Sequence, residues 1–248
     1  MQSVMMDYLE TADIETSSED YARRFAGEVG KWFLKVQEEA TLKMLAAYPK
    51  GTILDVGGGH GQITGALIKH GYQVTVLGSA DICKRRIQQF VDTSQCRFRV
   101  GDILALPYPD RSFDIVISYR LLPHVTRSEK FVSELARVAR RALIVDYPAM
   151  RSINYMAPIL FQWKKRLEGN TRPFTCFKEF ELLREFKSFG FIYAERFPEF
   201  CLPMVFHRLL NMPKLSSVME KMARLFGLTS AFGSPVILKL VSMDEWVE

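Results

Sequence analysis

The sequence predicts an α/β protein built on an open, doubly wound sheet, and three observations carry that expectation. A short apolar run, Thr52-Ile53-Leu54-Asp55-Val56, opens at once into Gly57-Gly58-Gly59-His60-Gly61 and then into a helical pattern, as a buried strand followed by a tight turn and a helix would. Further short apolar runs at 72–77, 97–100, 113–118 and 142–146 alternate with segments of helical periodicity, the pattern of parallel strands joined by crossover helices. With 248 residues, 48% of them hydrophobic, the chain can build one sizeable core, and a single domain with decorations is the simplest organisation.

Composition narrows the function classes. The four cysteines, Cys83, Cys96, Cys176 and Cys201, are widely spaced with no C-x-x-C and no paired histidines, so neither a zinc site nor a disulfide framework is indicated, and no metal is expected. The N-terminus carries acids where a secretory signal would carry a basic region. No stretch approaches the roughly 18 apolar residues that would span a bilayer, so a cytoplasmic location with at most peripheral membrane contact is the expectation. The net charge of +5 is uneven: residues 1–20 hold six acids and no Lys or Arg, leaving +11 on the remainder. No RNA-binding pattern or aromatic-basic repeat accompanies that surplus, so it reads as a solvated surface rather than a nucleic-acid face.

Residues 1–20 read as a mobile lead-in, with a possible N-cap at Ser17 or Ser18, and 21–248 as the single domain. From Phe25 to Leu45, apolar residues recur at three- and four-residue steps, an amphipathic helix interrupted by Gly27 and Gly30 and ending before Pro49. After the glycine turn, Tyr72–Leu77 is the second strand, Ile82–Val91 a helix, Arg97–Val100 the third strand, and Phe113–Ser118 the fourth. The helix Ser128–Arg140 carries Phe131, Val132, Leu135 and Val138 on one side, and Ala142–Asp146 is the fifth strand. Phe177–Phe189 reads as a further helix, with strands at Phe191–Phe197 and Pro235–Val241. Residues 149–176 and 199–234 read as cap or insertion segments. The second holds two amphipathic stretches on either side of Pro213, open to use as packing or a homodimer face, a substrate cap or a membrane-resting surface.

The glycine turn decides the ligand. A dinucleotide fingerprint, G-x-G-x-x-G, needs a glycine where Gln62 stands, which argues against a nicotinamide oxidoreductase. What stands here is D-x-G-x-G-x-G, formed by Asp55, Gly57, Gly59 and Gly61. In this motif the chain resembles the class I S-adenosylmethionine (SAM) dependent methyltransferases, and the order of motifs from about residue 20 to 146 agrees.

That resemblance implies a Rossmann-like sheet of seven strands, mostly parallel with the last antiparallel. It also implies a SAM site at Asp55, Gly57, Gly58, Gly59, Gly61, Gly78, Asp102, Ile103, Ser118 and Tyr119, yielding S-adenosylhomocysteine (SAH). An Asp or Glu closing the second strand would accept both ribose hydroxyls. Here Gly78 occupies that position, and Asp81, three residues on, either reaches back or charges the start of the next helix. His124 follows the fourth strand, where a neutral imidazole would take a proton from the acceptor, or pack against the next helix. Tyr21, Tyr155 and Trp163 are the candidate acceptor contacts, with ordinary packing as the alternative. The acceptor is expected to be a small apolar or aromatic molecule. A SAM- or SAH-binding regulatory protein without turnover is the competing reading.

Overall fold

The computed structural model describes residues 10–152 and 174–246. Seven strands, β1 Thr52–Val56, β2 Gln73–Gly78, β3 Cys96–Val100, β4 Phe113–Ser118, β5 Ala139–Tyr147, β6 Phe191–Pro198 and β7 Val236–Ser242, form one sheet in the order β3-β2-β1-β4-β5-β7-β6. β1 pairs in parallel with β2 and β4, as do β2 with β3 and β4 with β5, while β7 runs antiparallel to both β5 and β6. This is the Rossmann-like, mostly parallel sheet with an antiparallel last strand. The order reverses between β1 and β4, and open sheets of this kind offer a crevice at that point, beyond the carboxyl ends of the strands.

The inner strands β1, β4, β5 and β7 are largely apolar because both of their faces are covered. On one face Leu54, Val56, Val116, Leu143 and Val145 pack with Phe131, Val132 and Leu135 of α6 (Ser128–Val138) and with Leu182 and Phe186 of α7 (Glu179–Ser188). On the other, Ile53, Val76, Ile115, Ile117 and Ile144 meet Ala40, Met44 and Leu45 of α3 (Gly27–Leu45) and Leu67 of α4 (Thr64–Lys69). Each fully buried side chain of this size contributes roughly 1.5–3 kcal/mol. The helix expected over Ile82–Val91 divides into a 3-10 stretch, Asp81–Arg86, and α5, Gln88–Asp92.

Two departures bear on function. Residues expected to lie in the lead-in form two short helices, α1 (Ala12–Thr16) and α2 (Glu19–Arg23), the second capped by Ser18, whose Oγ accepts from the Tyr21 N–H at 3.2 Å. Ala12, Asp13, Thr16 and Ser17 are buried, because α1 packs onto the glycine turn and the segment after β2. The second departure lies between β6 and β7, where α8 (Met204–Leu210), α9 (Pro213–Leu225) and α10 (Leu228–Phe232) follow one another, with Pro213 starting α9 rather than separating helices. Leu209, Leu225 and Phe226 are exposed. Among the described residues no helix is long and apolar enough to cross a membrane.

These helices are pinned to the domain by one buried carboxylate. Glu220 accepts from the Cys201 and Leu202 N–H groups at 2.7 and 2.9 Å and lies 2.9 Å from Nε2 of His207, whose ring sits among Trp32, Phe33 and Phe200. Glu220→Ala leaves those donors buried without an acceptor. The expected cost is about 3 kcal/mol, seen in calorimetry as a melting temperature lowered by roughly 6–12 °C; an unchanged transition would show that the helices are held by their other contacts, such as those of Arg224 with Pro198 O and Glu199 O.

Candidate functional site

The glycine turn is the tightest part of the molecule. Gly57 (φ 78°) and Gly61 (φ 69°) adopt left-handed backbone on either side of a single 3-10 turn, Gly58–His60, a geometry that favours glycine. The Gly57 N–H donates to Leu77 O at 2.8 Å, tying the end of β1 to the end of β2. The sequence suggested that these glycines make room for a ligand; the atoms that crowd them belong to the chain. A Cβ on Gly58 would stand 2.0 Å from Asp55 Oδ2, and one on Gly59 would stand 2.3 Å from Cys83 O and 2.6 Å from Ser17 Oγ.

Asp55 is therefore folded beneath its own turn, fully buried, and neither carboxylate oxygen has a hydrogen-bond partner among the described residues. Burial pushes its carboxyl up to about 7. His60 beside it accepts from the Gln62 N–H through Nδ1 at 3.1 Å, which places the ring proton on Nε2, and the ring also has a backbone hydrogen bond with Tyr119. Burial, reinforced by the charge of Arg120, lowers His60 to about 4, so the ring is neutral near pH 7. Gln62 Oε1 and Thr64 Oγ1 are also buried and partnerless. Buried polar atoms are almost always satisfied, and three such residues around one turn, Asp55, Gln62 and Thr64, mark a place where a polar ligand completes the bonding.

The neighbouring loops meet this turn. Gly101 N–H donates to Gly78 O at 3.0 Å, joining the ends of β3 and β2. Asp102 Oδ1 accepts from Leu104 N–H at 2.8 Å, leaving Oδ2 for another donor, and Ile103 is fully buried beside it. Ser118 Oγ donates to Val56 O at 3.0 Å. Tyr119 faces away: its hydroxyl shares a 2.7 Å hydrogen bond with Thr41 Oγ1 of α3, and its ring lies in the core on that side. As a cofactor contact Tyr119 is thus limited to its backbone, because successive strand residues point to opposite faces. Gly78 has no room for a side chain, since a Cβ there would lie 2.8 Å from Cys83 Cβ and 3.2 Å from the Phe98 ring. Asp81 does not reach back; its exposed carboxylate pairs with Lys84 Nζ at 2.7 Å.

A second cluster lies beyond β4. Arg120, at φ 61°, donates its backbone N–H to Asp146 Oδ1 at 2.6 Å and brings its guanidinium to 3.1 Å from Asp146 Oδ2 and 3.5 Å from Glu199 Oε2. Burial raises both acids against the opposing pull of Arg120, Asp146 above its ordinary range and Glu199 up to about 7. Tyr21, pushed up to about 12 by burial, lies within the field of Arg120, Asp146 and Glu199, and its ring packs 5.7 Å from Phe25, over which Arg120 also sits. His124, in the 3-10 turn Leu122–His124, is half-buried and close enough to Asp146 to bias its titration. Tyr155 and Trp163 lie outside the described residues. The sequence pointed to Tyr21 and His124 here but not to Asp146 or Glu199; an acid ending a buried strand was a legible sign for Asp146, whereas Glu199 follows β6 in an unremarkable Pro-Glu-Phe. A cleft of about 560 Å³ between α3, β6 and α9 touches this cluster through Glu199.

Residues 54–142 match the methyltransferase domain family. Over 94 residues the chain is 37% identical to 2-methyl-6-phytyl-1,4-hydroquinone methyltransferase of Synechocystis, covering 37% of this chain and 30% of that protein. It is 29% identical over 131 residues to the ubiquinone/menaquinone biosynthesis C-methyltransferase of Roseobacter denitrificans, covering 47% of this chain and 52% of that one. The chain thus spans about half or less of these curated relatives. Among solved structures, magnesium protoporphyrin IX methyltransferase of Synechocystis with bound SAH superposes with a TM-score of 0.62 at 17% identity, covering 94% of this chain and 97% of that one, a likeness of fold.

The titration of Asp55 has a direct consequence. Because burial raises this carboxyl, folding favours its protonated form; its contribution to stability is complete below about pH 4 and is lost as pH rises through about 7. Asp55→Asn is expected to melt with the wild type below about pH 4 and several degrees above it at pH 8 without ligand, a difference on the order of a few kcal/mol. A pH-independent difference in calorimetry would show that Asp55 keeps an ordinary carboxylate titration in the fold.

Proposed function

We propose that this chain, which carries a class I SAM-dependent methyltransferase domain, transfers a methyl group from S-adenosylmethionine to a small organic acceptor of apolar or aromatic character. The observation that carries this reading is the coincidence, within the family-matched residues, of the glycine turn with the buried, partnerless polar atoms of Asp55, Gln62 and Thr64. Those groups fit a cofactor that is cationic and rich in hydrogen-bonding atoms: Asp55 offers an uncompensated carboxylate, Thr64 a hydroxyl, and Asp102 Oδ2 an acceptor at the end of β3. Ile103 supplies an apolar wall next to Asp102. When bound, SAM supplies a methyl group already activated on a sulfonium centre, so the protein's work is alignment and exclusion of water.

The residues beyond β4 suit the acceptor. Tyr21 and Phe25 line the cluster with aromatic surface, and Arg120, clamped between Asp146 and Glu199, fixes its floor. An acceptor that must lose a proton as it reacts meets His124, whose imidazole accepts it, while Asp146 nearby favours the resulting imidazolium. The relatives named for hydroquinone and quinone methylation support an apolar ring as the acceptor.

Calorimetric titration with SAM and SAH tests the cofactor. Micromolar binding is expected for the wild type and none for Gly59→Val, whose side chain would collide with Cys83 O and Ser17 Oγ and prise the turn open. Absence of binding by the folded wild type would overturn the reading. For the base, His124→Ala is expected to retain SAM affinity and to lose roughly 10²–10⁴-fold in kcat/KM on hydroxylated aromatic acceptors. Unchanged turnover in a radiolabelled-methyl assay would remove His124 from the mechanism.

A further inference from the structure

The residues assigned above leave one fully buried acid without a role. Asp13 of α1 has 0% exposure and makes no ion pair among the described residues; its carboxylate is held by neutral donors alone. Oδ2 accepts from the Ser79 backbone N–H at 2.6 Å and from Cys83 Sγ at 3.4 Å, and Oδ1 accepts from Ser79 Oγ at 2.5 Å. A carboxylate removed from water without a counter-charge is costly, and a short apolar side chain would fill the same site more cheaply.

Its position is informative. Ser79 directly follows β2, at the carboxyl edge of the sheet next to the glycine turn. Ser17 lies one helical turn on from Asp13, on the same side of α1. It is 6% exposed, and its Oγ lies 2.6 Å from where a Gly59 Cβ would be and within hydrogen-bonding reach of Cys83. The segment 13–17 therefore brings a carboxylate and a hydroxyl to the junction of the glycine turn and the end of β2. At that same edge Gly78 is sealed by Cys83 and Phe98, so β2 has no room for an acid of its own.

We propose that Asp13 is the carboxylate that receives the ribose hydroxyls of the bound cofactor, delivered from α1 in place of a residue on β2. This inference rests on the SAM reading above. A vicinal diol brings two O–H donors to a carboxylate with about four lone-pair sites. Three are engaged by Ser79 and Cys83. Oδ1 keeps one, and Ser79 Oγ, which donates its proton to Asp13, keeps acceptor capacity, so the two hydroxyls meet one carboxylate oxygen and one serine oxygen. A five-residue helix is too short to persist alone. Docking of α1 and binding of the nucleoside are therefore coupled, and Cys83, fully buried beneath Asp13, reports on that docking.

The test is calorimetric binding of SAH and of 2′,3′-dideoxy-SAH to the full chain and to Asp13→Asn, with circular dichroism confirming that both are folded. The wild type is expected to prefer SAH by roughly tenfold or more. Asp13→Asn should lose roughly 10–100-fold in SAH affinity and little for the dideoxy ligand, so that the preference collapses. SAH should also slow alkylation of Cys83, mapped by mass spectrometry, in the wild type but not in the variant. Equal SAH affinity in the two proteins, or an undiminished preference for the diol, would overturn the proposal, and tighter binding by Asp13→Asn would show that Asp13 occupies the ribose position instead of serving it. Failure of the wild type to bind SAH overturns the cofactor reading and this inference together; wild-type binding with an indifferent variant overturns this inference alone. Should Asp13→Asn not fold, Ser79→Ala replaces it: a smaller loss confined to the diol-bearing ligand supports the assignment, and an unchanged preference defeats it.

Discussion

The Asp55 carboxylate lies under the turn that follows it, so near to Gly58 that no side chain could stand there, and the rest of the carboxyl edge is arranged around that contact. The turn must double back within one 3-10 turn, which puts left-handed backbone at Gly57 and Gly61. Doubling back brings Gly57 N–H to Leu77 O and so locks the end of β1 to β2. It also leaves Gly59 facing Cys83 and Ser17, which draws α1 and the segment after β2 onto the turn. The same contact buries a carboxylate with nothing to pair it. An uncompensated buried acid is an unstable element on its own, and it persists where a bound group relieves it.

A comparable logic holds across the switch point. Arg120 sits in left-handed backbone, a conformation that a long side chain rarely takes, and its surroundings over-determine it: its N–H reaches Asp146 while its guanidinium spans from Asp146 to Glu199. Asp146 is the penultimate residue of β5 and Glu199 follows β6, so one cation ties together the parallel half of the sheet and the antiparallel extension. Two carboxylates share one guanidinium; burial outweighs its pull on both, and the charge of Asp146 raises Glu199 further.

Much of this was legible in the sequence. The glycine turn, the apolar strands with both faces covered and α6 with Phe131, Val132 and Leu135 on one side followed from local pattern, since each encodes a backbone demand or a packing stripe in adjacent residues. The acidic first twenty residues gave the opposite impression. With few large apolar side chains, 12–17 resembled a solvated tail, yet it is buried through hydrogen bonds to Ser79 and Cys83 and close packing on Gly59, and partners 42 to 70 positions away leave no periodic trace. Glu199 and Glu220 escaped notice for the same reason: each is a single carboxylate whose meaning comes from Arg120 or from His207 and two distant N–H groups. Tyr119 shows the converse error, because adjacency to Ser118 at the end of β4 placed it on the cleft side while strand alternation turned it to Thr41.

Net charge and local charge have opposite signs in this chain. The whole molecule carries +5, but that surplus lies largely on exposed Lys and Arg, whose fields are screened by water and salt. The buried groups at the carboxyl edge are Asp13, Asp55, Asp146 and Glu199 against Arg120, an assembly with more acid than base in a low-dielectric setting where each charge counts for more. Such a site disfavours an anionic ligand and favours one that brings positive charge. A sulfonium cofactor does so, and transfer of its methyl group turns the sulfonium into a neutral thioether. On the proposed function, the carboxylates that draw the cofactor in therefore lose part of their hold at the moment the chemistry is complete, so that one arrangement of buried acids serves both binding and release.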